Sequence, residues 1–300
     1  MEQSISHIGE KIRRLRLSKL MTQQELAGTQ ITRNMLSTIE HGTALPSLPT
    51  ALYLAERLNV PVGYLLADAN DEPGYHKMMA IANIRHAFAS KDFRGALLLL
   101  QAVPGAEADD ELCFIRAQCE FGIARAELQA GRLRLCAASL DRALRAAEQT
   151  IYDTVGLRSR IAVYFRYIQG VSSTIDSNVL DVDEIEDARA FGDDVCEYVW
   201  ALAQIEQGSE GAGNDYARRF PQSPYATRLR ALEWMKKGEY LAAQTALEEL
   251  LPREDLTFGV LLYDVFGDLE VCYRKNDDYK RAYEFAGSRI GLLERLLEEI

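Results

Sequence analysis

Between residues 22 and 42 the chain carries its own punctuation. Thr22-Gln23-Gln24-Glu25 has the spacing of a capping box, in which a threonine hydroxyl and a glutamate three residues on satisfy backbone N–H groups at a helix start. Gly28 follows Ala27, and Thr32 then offers a second cap. In the helix after Thr32, Leu36 and Ile39 point inward, and Gly42 is placed to end it in the left-handed conformation. The pattern predicts two short helices joined by a tight turn, the second presenting polar side chains at its N-terminus.

The flanking sequence extends this into five short helices over residues 5–66. In the first, Ile8, Ile12, Leu15 and Leu20 fall near one face, with Lys11, Arg13, Arg14 and Arg16 spread over the others. Pro46 and Ser47 lead into a fourth helix holding Leu48, Leu52, Ala55 and Leu58, and Pro61 opens a last turn ending at Tyr64-Leu65-Leu66. The polar, helix-breaking stretch 68–74 is the expected linker between a head (1–67) and a body (75–300).

From Tyr75 onward helical periodicity dominates and β-type alternation is nearly absent, so the expected fold is all-α. One turn layout recurs: Lys91-Asp92-Phe93-x-x-Ala96, Gly131-Arg132-Leu133-x-x-Cys136, Gly238-Glu239-Tyr240-x-x-Ala243 and Asp277-Asp278-Tyr279-x-x-Ala282. Each places a polar turn before an apolar residue, with a small residue three positions later where two antiparallel helices must approach. The layout resembles the tetratricopeptide repeat with a longer, degenerate period, and predicts a right-handed α-solenoid. Two further helix pairs are placed at about 155–191 and 194–220, for about six in all. Ile290, Leu293, Leu297 and Ile300 form a final stripe, either a terminal cap or a dimer contact.

If the third helix enters a DNA major groove, its first exposed residues face base edges. Arg33 suits guanine and Asn34 suits adenine, Met35 can meet a thymine methyl, and Thr32, Ser37 and Thr38 lie on or near the same face. Gln23 at the start of the second helix, and Arg13, Arg14 and Arg16 on the first, are candidates for phosphate contact, which positions without specifying. Charge agrees with this division. Residues 1–67 hold seven Lys or Arg and five Asp or Glu, a balance of +2, so a total of −11 leaves −13 for the rest. An acidic body repels phosphate and leaves contact to the head. One such head reads few base pairs, so a homodimer on a near-palindromic site is expected.

Residues 8–66 resemble the XRE family of lambda/434 repressor-like DNA-binding domains, through T-Q-x-E-L-A, T-R-x-x-L-S-x-I-E-x-G, P-S-L, L-A-x-x-L-x-V-P and Y-L-L in that order. The interval between Ala27 and Thr32 is one residue shorter than in many members. That variant resembles the Rgg/PlcR-like regulators of Firmicutes, which join such a head to a tetratricopeptide-like body. The resemblance implies a cytoplasmic homodimer controlling transcription, and a concave groove that binds a short signalling peptide. By repeat position the candidate groove residues are Arg125, Gln129, Arg228 and Lys275, with Tyr164, Tyr167 and Trp200 as walls; the alternative is that they fill surface and core.

Other chemistries lack the residues they need. Five cysteines form an odd set without a C-x-x-C pair, which fits reduced, buried thiols, and Cys136 sits in a small-residue slot of the repeat. Four dispersed histidines provide no zinc spacing, and no phosphate-cradling glycine motif occurs, so neither cofactor nor metal is expected. Asp181-Val182-Asp183-Glu184 lacks the glycine of a calcium loop and reads as an acidic helix start, and Ser172-Ser173-Thr174 as a loop. No apolar run is long enough to span a membrane, and the first fifteen residues carry no leader pattern. No convergent catalytic set is present, and an enzyme is not expected. The competing expectation is an adaptor whose solenoid binds a protein and whose head is a docking domain.

Overall fold

The computed structural model describes residues 2–67, 72–171, 192–252 and 259–298, and among these every regular element is helical. Expectations for 172–174, 181–184, residues 68–71 of the linker, Ile300 and most of the second half of the pair at 155–191 lie outside the described residues. The chain divides into two compact units, Met1–His86 with Leu99–Ala106, and Ala87–Leu98 with Glu107–Ile300.

In the first unit the helices are α1 (Glu2–Ser18), α2 (Gln23–Ala27), α3 (Arg33–Glu40), α4 (Leu48–Leu58), α5 (Val62–Leu66) and most of α6 (Glu72–Ala89). Their ends follow the capping chemistry of the sequence. The Thr22 hydroxyl accepts from the Glu25 N–H at 3.1 Å while the Glu25 carboxylate accepts from the Thr22 N–H at 2.6 Å, a complete capping box. The Thr32 and Ser47 hydroxyls cap α3 and α4 by accepting from the Met35 and Thr50 N–H groups, without the reciprocal carboxylate, and Gly42 takes φ +70° just beyond α3. Ile12, Leu26, Leu36, Ile39, Leu54 and Leu58 close the core. Helices α1 and α3 touch at Gly9, where a Cβ would lie 2.0 Å from the Ile39 carbonyl oxygen. Only a glycine leaves room for that backbone.

Two expectations for the apolar residues of this unit change. Leu20 leaves the first helix: it is 92% exposed in a left-handed turn at φ +58°. In α4, Leu48 and Leu52 face outward, and Ala51 and Leu54 take the core with Ala55 and Leu58. The compact unit that contains these helices runs on past residue 67. Residues 72–74 open α6, where Pro73 is tolerated in a first turn, and Tyr75 and His76 pack edge-on against Tyr64 at 6.3 and 5.4 Å between ring centres.

The second unit contains the start of α7 (Phe93–Gln101), then α8 (Asp110–Gln129), α9 (Leu133–Glu148), α10 (Val155–Gln169), α11 (Asp194–Glu206), α12 (Ala212–Arg219), α13 (Pro224–Lys236), α14 (Tyr240–Glu248), α15 (Val260–Lys275) and α16 (Tyr279–Leu297). Successive helices pack in sequence order, with α8 on α9, α11 on α12, α13 on α14 and α15 on α16. The four recurring turns share one geometry. Lys91, Gly131, Gly238 and Asp277 have φ between +61° and +82°, and each is followed by the same pair of backbone bonds, as in Gly131 N–H to Leu128 C=O and Arg132 N–H to Glu127 C=O. These are Schellman closures that satisfy the last carbonyls of one helix and aim the chain into the next. The small residues that follow, Ala96, Cys136, Ala243 and Ala282, are all buried.

Buried glutamates fasten helix pairs, a feature the sequence reading missed. Glu120 of α8 pairs with Arg142 of α9 at 2.9 Å, Glu127 with Arg94 and Arg132, and Glu197 of α11 with Arg219 of α12. Toward the end of α16 the buried apolar residues are Leu292 and Leu296, with Leu293 and Leu297 beside them, and Ile290 is 61% exposed. The final stripe is therefore rotated from the expected one.

Candidate nucleic-acid interface and ligand groove

The outer surface of α3 presents Thr32, Arg33, Asn34, Met35 and Thr38 to solvent, with Ser37 half-buried. Its inner face holds Leu36 and Ile39, so the N-terminal turn of the helix is fixed in direction and open at its tip. The hydroxyl of Thr38 donates back to the Met35 carbonyl at 2.8 Å, and Ser37 Oγ lies 3.5 Å from His41 Nδ1. Both hydroxyls are already engaged within the helix. Arg33, Asn34 and Met35 are left as the side chains best placed to reach an external surface.

The turn before α3 depends on Gly28, whose φ of +58° and ψ of −134° suit no other residue well. Tyr53 closes over it, donating to the Ala27 carbonyl at 3.0 Å. The shortened interval between the helices is thus accommodated by one glycine and one tyrosine.

The expected phosphate contacts separate into two groups. Arg13 is exposed. Arg14 is exposed as well, although its Nη2 donates to the Tyr64 hydroxyl at 3.0 Å. Arg16 turns inward, which corrects its assignment: Nε and Nη2 grip the two oxygens of Glu40 at 2.7 and 2.9 Å, and Nη1 donates to the Met21 carbonyl at 2.8 Å. Gln23 joins them, donating to Glu40 Oε2 at 2.8 Å, so its amide ties α2 to the end of α3. Burial opposes the Glu40 charge, but hydrogen bonds from Arg16 and Gln23 outweigh it and hold the carboxyl below the usual range. Lys11, which periodicity had left on an outer face, is buried and donates to the Ala67 and Tyr64 carbonyls at 2.8 and 3.2 Å, satisfying the end of α5.

In the second unit two cavities of about 550 and 520 Å³ share Tyr167 as a common wall. Their linings come mainly from α8, α10, α11, α13 and α15, the first members of the helix pairs. The larger is largely apolar, with Val199, Leu202, Leu232 and Met235, and carries Arg228 and Asp264 on its wall. The other brings together Arg125, Gln129, Tyr164 and Asp194. Five of the seven candidate groove residues therefore converge. Trp200 is half-buried against the core and lines neither cavity, and Lys275 is exposed with its ammonium 6.0 Å from the Tyr240 ring centre.

Within the groove, only some polar groups are open to a ligand. Arg228 is buried, pairing with Asp264 at 2.9 Å and Asp268 at 2.6 Å and donating to the Tyr198 hydroxyl. Its guanidinium holds α11, α13 and α15 together, an architectural role in place of the expected contact. Burial drives the Asp264 carboxyl up to about 6, against the pull of Arg228 and with a push from Asp268. Tyr164 donates to the buried Asp193, which caps α11 through the Val195 and Cys196 N–H groups. Burial raises the hydroxyl pKa of Tyr164, Tyr167 and Tyr198 well above the ordinary range, so these walls stay neutral. Arg125 stands at the rim, 44% exposed, 3.6 Å from Asp193 and 3.8 Å from Asp194.

Burial likewise pushes the Cys119, Cys136 and Cys272 thiols up to about 12, which leaves them unreactive at neutral pH. Among the described residues no group of three or more His, Cys, Asp or Glu is placed to hold a metal ion, and no helix is long and apolar enough to cross a membrane.

Residues 12–65 match the helix-turn-helix family model. The head is a helix-turn-helix domain. No curated protein matches the chain. Among solved structures, similarity is found to Bacillus thuringiensis PlcR in complex with the peptide PapR7 and DNA, at 13% identity over 98% of this chain and 100% of that one, with a TM-score of 0.24. The apo competence regulator ComR of Streptococcus vestibularis is 15% identical over 93% and 98%, with a TM-score of 0.23. The Streptococcus dysgalactiae SHP pheromone receptor Rgg2 is 14% identical over 81% and 98%, with a TM-score of 0.19. Superpositions this loose leave functional reasoning to the helix-turn-helix head and to the groove itself.

Proposed function

We propose that this protein is a sequence-specific DNA-binding transcription regulator, acting by binding rather than catalysis, and that the groove of its second unit takes a short peptide. The observation that carries the reading is the exposed run Arg33-Asn34-Met35 at the capped tip of α3, in a head matched as a helix-turn-helix domain. Arg13 and Arg14 supply backbone contact, and Arg16 and Gln23 act by holding α3 in place. Paired apolar and polar cavities of peptide-sized volume support the sensing half of the proposal. The reading includes a homodimer on a near-palindromic operator, since two heads are needed to specify a site. The exposed Tyr279, Tyr283 and Ile290 of α16 are the surface we assign to that contact.

Selection of bound fragments from a random duplex pool, followed by gel shift, tests the head. Arg33→Ala and Asn34→Ala should each lose about 1–3 kcal/mol of specific affinity while leaving weak, salt-sensitive binding to other DNA. Variants that bind the selected site like the wild type would remove α3 as the reading element. A full-length chain that ignores DNA even at low salt would return the adaptor reading.

A further inference from the structure

A third cavity of the second unit, about 380 Å³, joins the groove at Arg125 and Gln129, which line both it and the Tyr164–Tyr167 cavity. Its walls are the rings of Phe88, Phe93 and Phe121. Its charged lining residues among those described are Lys91, Arg125 and Arg160, with no carboxylate among them. This concentration of positive charge stands out in a chain whose residues beyond 67 sum to −13. The walls are firmly built: Phe93 lies against Gly122 of α8 so closely that a Cβ there would be 2.3 Å from the ring. The Arg160 guanidinium sits 5.0 Å from the Phe121 ring centre, with its Nε donating to the Gly156 carbonyl at 3.2 Å.

We infer that this cavity is an anion subsite that takes a carboxylate of the bound peptide, while the apolar cavity beyond Tyr167 takes an aliphatic side chain of the same peptide. The inference rests on the peptide-binding reading of the groove and specifies its ligand: a bipartite peptide, acidic at one end and apolar further along. Electrostatics favour the assignment. Burial lowers the Arg160 pKa, and Arg125 adds to the lowering, despite the buried Asp193 nearby. An incoming carboxylate relieves that cost. Arg125 stands at the mouth of the cavity, in contact with the Tyr164 hydroxyl, and its ion pairs with Asp193 and Asp194 are long, at 3.6 and 3.8 Å. Guanidinium groups beside aromatic faces, in a partly desolvated cavity, favour a planar carboxylate.

The carboxylate can belong to the peptide C-terminus or to an Asp or Glu side chain, and the test separates the two. A randomised octapeptide library, prepared as free acids and as C-terminal amides, is incubated with the full-length chain, and retained peptides are sequenced by mass spectrometry. Lys91→Asn and Arg160→Gln are run beside the wild type; Lys91 is exposed in a left-handed turn that asparagine tolerates, so its loss leaves the fold intact. Retained peptides should favour a carboxylate near one end about tenfold, read either as Asp or Glu enrichment or as retention of free acids over amides, and should carry an aliphatic residue further along. In both variants the carboxylate preference should collapse while the aliphatic preference stays. Loss of retention in the amide library assigns the terminal carboxylate; retention of amides rich in Asp or Glu assigns a side chain. Peptides retained equally as free acids and as amides with no Asp or Glu enrichment, or with the same carboxylate preference in both variants as in the wild type, overturn the subsite alone. A wild type that retains no peptide overturns the peptide-sensing reading together with it.

Discussion

The head and the second unit both depend on arginines, but they hold them in opposite ways. Arg33 extends from the first turn of α3 into solvent, while Arg228 is enclosed by Asp264, Asp268 and the Tyr198 hydroxyl. An exposed arginine at a rigid helix tip is available to a ligand and contributes almost nothing to stability. A buried one shared by two carboxylates is committed to the fold, because removing it strands charge in a low-dielectric interior. Arg16 shows that position near a DNA-reading helix does not decide which kind a residue is. It belongs to the head, yet it is held as firmly as Arg228.

The sharpest way to break this contrast is Arg228→Ala. It leaves Asp264 and Asp268 without their partner and should cost the second unit about 3–5 kcal/mol in chemical denaturation. A loss below about 1 kcal/mol would mean the triad is not the clamp described here. In the head, Gly9→Ala forces α1 off the Ile39 carbonyl and should cost about 1–3 kcal/mol, measured on the same instrument as a lower midpoint. An unchanged midpoint would show that α1 and α3 can separate without penalty.

A pH titration separates Asp264 from Glu40 by sign. Asp264, with a folded pKa of about 6 against about 4 unfolded, binds its proton more tightly in the native state. Its contribution is most favourable below about pH 4 and is lost as pH rises through about 6. Glu40, held below its unfolded value, behaves in reverse, contributing above about pH 4 and losing that contribution on further acidification. Comparing unfolding curves of Asp264→Asn and Glu40→Gln with the wild type should remove one slope each; a wild-type slope surviving in Asp264→Asn would move its source elsewhere. The smallest stability effect belongs to Arg33→Ala, which should stay within about 0.5 kcal/mol although it weakens DNA binding most directly.

Local chemistry made much of this legible in advance. Thr22 with Glu25, Thr32, Ser47 and the four left-handed turns act within a few residues through backbone hydrogen bonds, so their spacing determines helix ends wherever it occurs. The small-residue slots at 96, 136, 243 and 282 were readable for the same reason, since each follows its turn at a fixed interval. Leu20, Leu48 and Leu52 were placed less well, because periodicity gives a helix its apolar stripe but not how wide a stripe its neighbours cover.

What the sequence by itself determined, then, is the order of helices, their caps, the recurring hairpin and the polar tip at Arg33 and Asn34. The tertiary structure alone decided which charges go inside. Glu40 lies 24 residues from Arg16, Asp264 lies 36 from Arg228, and the Ala67 carbonyl lies 56 from Lys11. No local rule links such pairs. Desolvation makes a buried charge tolerable only when a distant partner arrives within hydrogen-bond reach, and packing brings it there.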